Sequence, residues 1–63
     1  MKHGELYILH HHNKGVFTLQ IHSTDHETVT GNIIAIKKEG SEPVRIGEKL
    51  SLRRMYISNA YQV

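Results

Sequence analysis

Apolar and polar residues alternate most regularly over Val16–His22, where Thr18, Gln20 and His22 separate Phe17, Leu19 and Ile21. A period of two sends one set of side chains to a buried face and the other to solvent, so this segment predicts a strand with an outward polar face. Thr28–Lys38 begins with the same alternation and turns apolar on both faces at Ile33-Ile34-Ala35-Ile36, which predicts the central strand. Gly31 inside it marks a bend or bulge. Upstream, Glu5 to His11 or His12 predicts a first strand, with a helix over Glu5–His12 stopped by Gly15 as the alternative. Asn13-Lys14-Gly15 suits a three-residue hairpin loop with glycine in the left-handed region. That loop pairs His12 with Val16 and His10 with Thr18, and puts His22 opposite Leu6. Val44–Ile46, following Pro43, predicts a short fourth strand. Leu50–Ile57 reads as a fifth strand interrupted near Arg53-Arg54. Leu52, Met55 and Tyr56 also fit a helical face with Ser51 as N-cap, so one short helix competes there.

Composition strengthens the strand reading. Seven Ile, four Val and four Thr stand against five Leu and two Ala, and branched side chains lose rotamer freedom in helices while packing well on a pleated surface. Turn residues recur at Asn13-Lys14-Gly15, Ser23-Thr24-Asp25-His26, Glu39-Gly40-Ser41-Glu42-Pro43 and Gly47. Short strands punctuated at this interval predict an all-β chain, a small five-stranded antiparallel barrel, as one domain over residues 1–63. A chain of 63 residues buries only about 60% of its unfolded surface. With no cysteine, neither a disulfide nor a thiolate zinc site supports it. Regular packing or association with a second copy is the remaining support, and a homo-oligomer is expected. The longest apolar run, Ile33–Ile36, is far short of a membrane span, and the N-terminal residues lack a signal-peptide core. The expectation is a soluble cytoplasmic module without membrane contact.

Charge is unevenly placed. Residues 1–36 set Lys2 and Lys14 against Glu5, Asp25 and Glu27, leaving −1. Residues 37–63 set Lys37, Lys38, Arg45, Lys49, Arg53 and Arg54 against Glu39, Glu42 and Glu48, leaving +3. Cations for phosphates, with Tyr56 and Tyr61 nearby for base stacking, are the ingredients of a single-stranded nucleic-acid surface. The candidate nucleic-acid-binding set is therefore Lys37, Lys38, Arg45, Lys49, Arg53, Arg54 and Tyr56. Neighbours in a strand point to opposite faces, so Arg53 and Arg54 share a patch only if the chain bends between them. Solubilising charge and edge-strand lysines that block aggregation account for the same residues without a ligand.

All six histidines fall within the first 26 residues: His3, His10, His11, His12, His22 and His26. On a strand His10 and His12 share a face, and imidazole ligates zinc, nickel or copper. No spacing here specifies a structural zinc site, so the expectation is exposed histidines with no metal and no other cofactor. Catalysis finds no support either, because the chain has no thiol, no glycine-rich phosphate loop and no nucleophile elbow. It is expected not to be an enzyme.

The order of features resembles the small Sm-like barrels. The matching stretches are Val16-Phe17-Thr18-Leu19-Gln20-Ile21, a polar turn, Thr28-Val29-Thr30-Gly31-Asn32-Ile33-Ile34-Ala35-Ile36, and Leu50-Ser51-Leu52-Arg53-Arg54-Met55 after a polar loop. The Rho-binding antitermination proteins, in which the barrel stands alone, show a similar order. Val44-Arg45-Ile46-Gly47 with a tyrosine-bearing C-terminal segment more faintly resembles the carbon storage regulators. The resemblance covers roughly residues 16–58 and implies a barrel fold and a regulator that binds RNA or another protein. Lys37-Lys38-Glu39-Gly40 stands where the Sm family carries its Asp/Asn base-binding loop, so Sm-type base recognition does not transfer. The leading expectation is a non-catalytic nucleic-acid-binding regulator. The alternative is a protein-interaction module or small inhibitor that docks through an exposed strand edge such as Val44–Ile46.

Overall fold

Alternation in the chain becomes alternation across a sheet. A computed structural model describes all 63 residues and contains five strands, β1 (Leu6–His11), β2 (Gly15–Thr24), β3 (Thr28–Glu39), β4 (Lys49–Arg53) and β5 (Ile57–Gln62). All neighbours are antiparallel, in the order β4-β3-β2-β1-β5. The only helical piece is a 3-10 turn, η1 (Arg54–Tyr56), between β4 and β5. No helix is long and apolar enough to cross a membrane. β4 and β5 occupy the two edges and do not pair with each other, so the chain is an all-β antiparallel sheet that is not closed.

One face of the sheet makes the core. Phe17, Leu19 and Ile21 of β2 pack with Leu9 of β1, Val29 and Ile33 of β3, and Leu52 of β4, all at most 1% exposed. Burying such side chains stabilises by about 1.5–3 kcal/mol each, which is how a chain without crosslinks holds together. β3 curves around this core by irregular pairing with β2. Register shifts fall between Val16 and Phe17, between Thr18 and Leu19, and between Ile21 and Ser23. Bulges of this kind bend a strand and raise its twist.

Several expectations need correction. The central strand is β2, flanked by β1 and β3, whereas β3 lies second from an edge. Its apolar run is not buried on both faces: Ile33 is in the core, but Ile34 is 43% exposed. Val44–Ile46 is no strand. After Pro43 the chain runs as a loop in which Val44 alone, 5% exposed, plugs into the core while Arg45 and Ile46 face solvent. Leu50–Ile57 is two elements rather than one, because η1 ends β4 at Arg53 and a separate strand, β5, begins at Ile57. Glu5–His12 forms β1, not a helix.

The hairpin register also differs by two residues. His10 pairs with Val16 and His11 with Gly15, so Leu6 faces Gln20 rather than His22. The loop is His12-Asn13-Lys14, and Gly15 takes the left-handed backbone conformation as the first residue of β2, with φ of 92°. A Cβ at Gly15 would strike the Lys38 carbonyl oxygen and the Gly40 nitrogen, so both space and dihedral demand glycine.

Candidate nucleic-acid interface

β4 alternates as Lys49, Ser51 and Arg53 outward, with Leu52 in the core and Leu50 half-buried against it. Its partner residues on β3 are Asn32 opposite Lys49, Thr30 opposite Ser51 and Thr28 opposite Arg53. The two hydroxyls at the middle of this ladder, Thr30 Oγ1 and Ser51 Oγ, lie 3.3 Å apart. Six outward side chains thus offer two cations, three hydroxyls and an amide, and none is a carboxylate. Neither Lys49 nor Arg53 takes part in an ion pair, since the salt bridges are Lys14–Glu42 and His26–Glu27. Phosphate oxygens accept hydrogen bonds from all these groups, and unpaired cations add the electrostatic attraction.

The other candidates fall elsewhere. Lys37 and Lys38 are exposed at the far end of β3, where Lys38 faces Val16, while Arg53 sits beside the strand's first residue, Thr28. Lys38 borders a groove of about 310 Å³ shared with His10, His12 and Ser58. Arg45 is exposed on the loop before β4, and its backbone N–H donates to Glu48 Oε1 at 3.1 Å. The chain does bend between Arg53 and Arg54, but the bend separates them. Arg54 Nε donates to the Asp25 carbonyl oxygen at 2.8 Å, and its backbone N–H donates to the Glu27 carbonyl at the same distance. These bonds fasten η1 to the β2–β3 turn. In that turn Asp25 Oδ1 accepts the N–H groups of Glu27 and Thr28, which hold its carboxyl below the ordinary value. Arg53, Arg54, His26, Glu27 and Met55 border a further cleft of about 350 Å³.

Tyr56 lies on the opposite side of η1, over the β1–β2 turn. Its carbonyl accepts the His12 N–H at 2.8 Å, and its ring stands 6.0 Å from the ring of His11. His11 departs from the expectation of exposed histidines, being 8% exposed at the end of β1. Its Nδ1 accepts the backbone N–H of both Asn13 and Lys14 at 3.1 Å, closing the hairpin loop. A nitrogen that accepts carries no proton, so the ring is the neutral tautomer with hydrogen on Nε2. Burial foremost, then the Lys14 ammonium and more weakly His12, holds the imidazole below its ordinary 6.5, against an opposing pull from Glu42.

The remaining histidines are dispersed. His3 Nδ1 bonds the His22 carbonyl at 2.8 Å, His10 contacts Tyr61 edge-on, and His26 is exposed beside Glu27. No group of three or more His, Asp or Glu side chains converges in metal-binding geometry. His11 and the hydroxyls of the β3–β4 ladder were not candidates from sequence. The ladder had a readable signal in Thr28-Val29-Thr30, but His11 had none, since a histidine accepting from residues two and three ahead is not a recognised turn code. Comparison with known proteins finds no matching family model, no matching curated protein and no matching solved structure.

Proposed function

We propose that this chain is a non-catalytic module that binds single-stranded nucleic acid across the outer face of β3 and β4. The observation that carries the reading is the carboxylate-free ladder of Lys49, Ser51 and Arg53 opposite Asn32, Thr30 and Thr28, with both cations unpaired. Phosphate contacts dominate in such a face, so binding weakens steeply with salt. The reading moves the functional set from the whole basic half to Lys49 and Arg53. Tyr56 is the stacking partner, and Lys37, Lys38 and Arg45 act as outlying attraction. A barrel-like curl of the Sm-like kind belongs to the same reading. Its support is the three register shifts of β3 on β2 and the ties from η1 to both neighbouring turns.

Binding of labelled single-stranded RNA and DNA at two salt concentrations tests the reading. Affinity at low salt that is lost in Lys49→Glu with Arg53→Glu is the expected result, and no binding at low salt sinks it. A second reading has its own observation. β5 pairs with β1 alone, and every residue after Ile57 in it is exposed, so its outer edge offers unpaired backbone groups to a protein strand. Partner capture that survives the double reversal would favour that mode instead.

A further inference from the structure

The cleft between η1 and the β1–β2 turn contains a donor that the fold itself does not use. His11 is 92% buried, and its Nδ1 is committed to the Asn13 and Lys14 N–H groups, which leaves Nε2–H as an obligate donor. That nitrogen has no hydrogen-bond partner in the chain. Every fully buried side-chain nitrogen or oxygen does have one, so Nε2 must reach solvent. It does so among Lys14, Glu42, Ser51, Arg53 and Tyr56, which with His11 line a cleft of about 320 Å³. Lys14 and Glu42 neutralise each other at 3.1 Å, so the cleft's uncompensated charge is the Arg53 guanidinium. A preset N–H donor, a free guanidinium and a serine hydroxyl converging on one space suit a tetrahedral oxyanion. Tyr56, 39% exposed at the rim, adds a ring face next to that anion position.

We infer that this cleft binds one nucleotide unit, with its phosphate held by His11 Nε2–H and Arg53 and its base against Tyr56. The volume lies at the small end of ligand pockets, as a single nucleotide requires. The cleft adjoins the β4 face through Ser51 and Arg53, so a strand lying on that face can place one unit in it. The inference rests on the nucleic-acid reading for the identity of the ligand, whereas the anion site stands on its own geometry.

The test is an NMR titration of the full chain at low salt with uridine 5′-monophosphate, inorganic phosphate and uridine, followed by a single-stranded oligouridine. The monophosphate is expected to shift the His11 and Tyr56 ring signals saturably, phosphate to do so more weakly, and uridine not to saturate. His11→Asn keeps an acceptor near the Nδ1 position and removes the outward donor. It and Arg53→Gln should each weaken the monophosphate by about fivefold or more, the loss of a charge-assisted or buried donor. Glu42→Gln frees Lys14 and should tighten it, a gain that damaged folding does not produce. Absence of saturable shifts, or equal affinity in Arg53→Gln and Glu42→Gln, overturns the cleft. If His11→Asn fails to fold, those two exposed variants still decide. Oligouridine binding that ignores all the variants overturns the cleft and leaves the nucleic-acid reading standing. Monophosphate binding without oligouridine binding does the reverse.

Discussion

The Nδ1 atom of His11 accepts the backbone N–H of Lys14 at 3.1 Å, so the first hairpin is closed by a side chain that must stay neutral. Asn13, within the same loop, accepts the Glu42 N–H at 2.8 Å and the Ser41 hydroxyl at 3.3 Å through its carbonyl, which ties the β3–β4 loop to this turn. Protonating His11 would turn Nδ1 into a donor facing two donors. The folded pKa lies below the ordinary 6.5, so the unfolded chain takes up the proton first as pH falls. The associated stability is therefore fully present above about pH 6.5 and declines as pH falls from there through the folded value. Lys14 and His12 oppose the charged form and Glu42 favours it, while Arg53 also borders the site. Thermal melts from pH 8 to pH 5 should show a falling midpoint in the parent chain and a flatter profile in His11→Asn. An equally steep fall in His11→Asn would place the effect on another group.

Gly31 and Gly47 are glycines for opposite reasons, and the difference predicts opposite severities. Gly47 has φ of 90° with open space around a would-be Cβ, so Gly47→Ala adds only the left-handed backbone penalty of about 1–2 kcal/mol. Gly31 has no positive φ, but an added Cβ would strike the Gln20 carbonyl oxygen and come within 2.8 Å of Leu19 Cγ. Backbone cannot yield as a side-chain end does, so Gly31→Ala should destabilise by about 3 kcal/mol or more, the upper end of overpacking. For 63 residues the whole margin is about 3–9 kcal/mol. Urea unfolding should therefore find Gly47→Ala folded and Gly31→Ala at or beyond the edge of folding. Similar midpoints for the two would contradict the clash.

Much of this architecture was legible wherever one face is buried and one is not. Phe17, Leu19 and Ile21 declared β2, and Thr28-Val29-Thr30-Gly31 declared the start of β3 with its tight approach at the glycine. Legibility failed where apolar residues are buried without alternation or exposed despite it. Val44 looked like a strand residue because it is β-branched and flanked by Ile46, yet it is a single plug from a loop. β5 was invisible because only its first residue, Ile57, is even half-buried, and its register comes from backbone pairing with β1. The hairpin register slipped by two because the loop is set by the His11 side chain and not by Gly15 alone. The basic cluster was readable as composition, but orientation decides its use. η1 turns Arg54 toward Asp25 and leaves Arg53 on the open face of β4, a distinction that adjacent arginines do not advertise.

That division between Arg53 and Arg54 gives a quantitative contrast. Binding to a single strand loses affinity with salt at a logarithmic slope of about −0.7 for each phosphate neutralised. Lys49 and Arg53 are unpaired and lie on one face, so replacing both with Gln should flatten the slope by about 1.4. Arg54→Gln acts elsewhere. It removes the bond from Nε to the Asp25 carbonyl and should lower the melting midpoint, while leaving the slope almost unchanged because its guanidinium is engaged in holding η1. Lys37→Gln with Lys38→Gln removes the same formal charge as the first pair from the far end of β3, where no hydroxyl ladder stands beside it. It should flatten the slope less than the Lys49 and Arg53 pair does. Fluorescence anisotropy over a salt series, with a melt on each variant, separates the three. Equal slopes for the two double variants would mean that only overall charge matters and would remove the β4 face from the interaction.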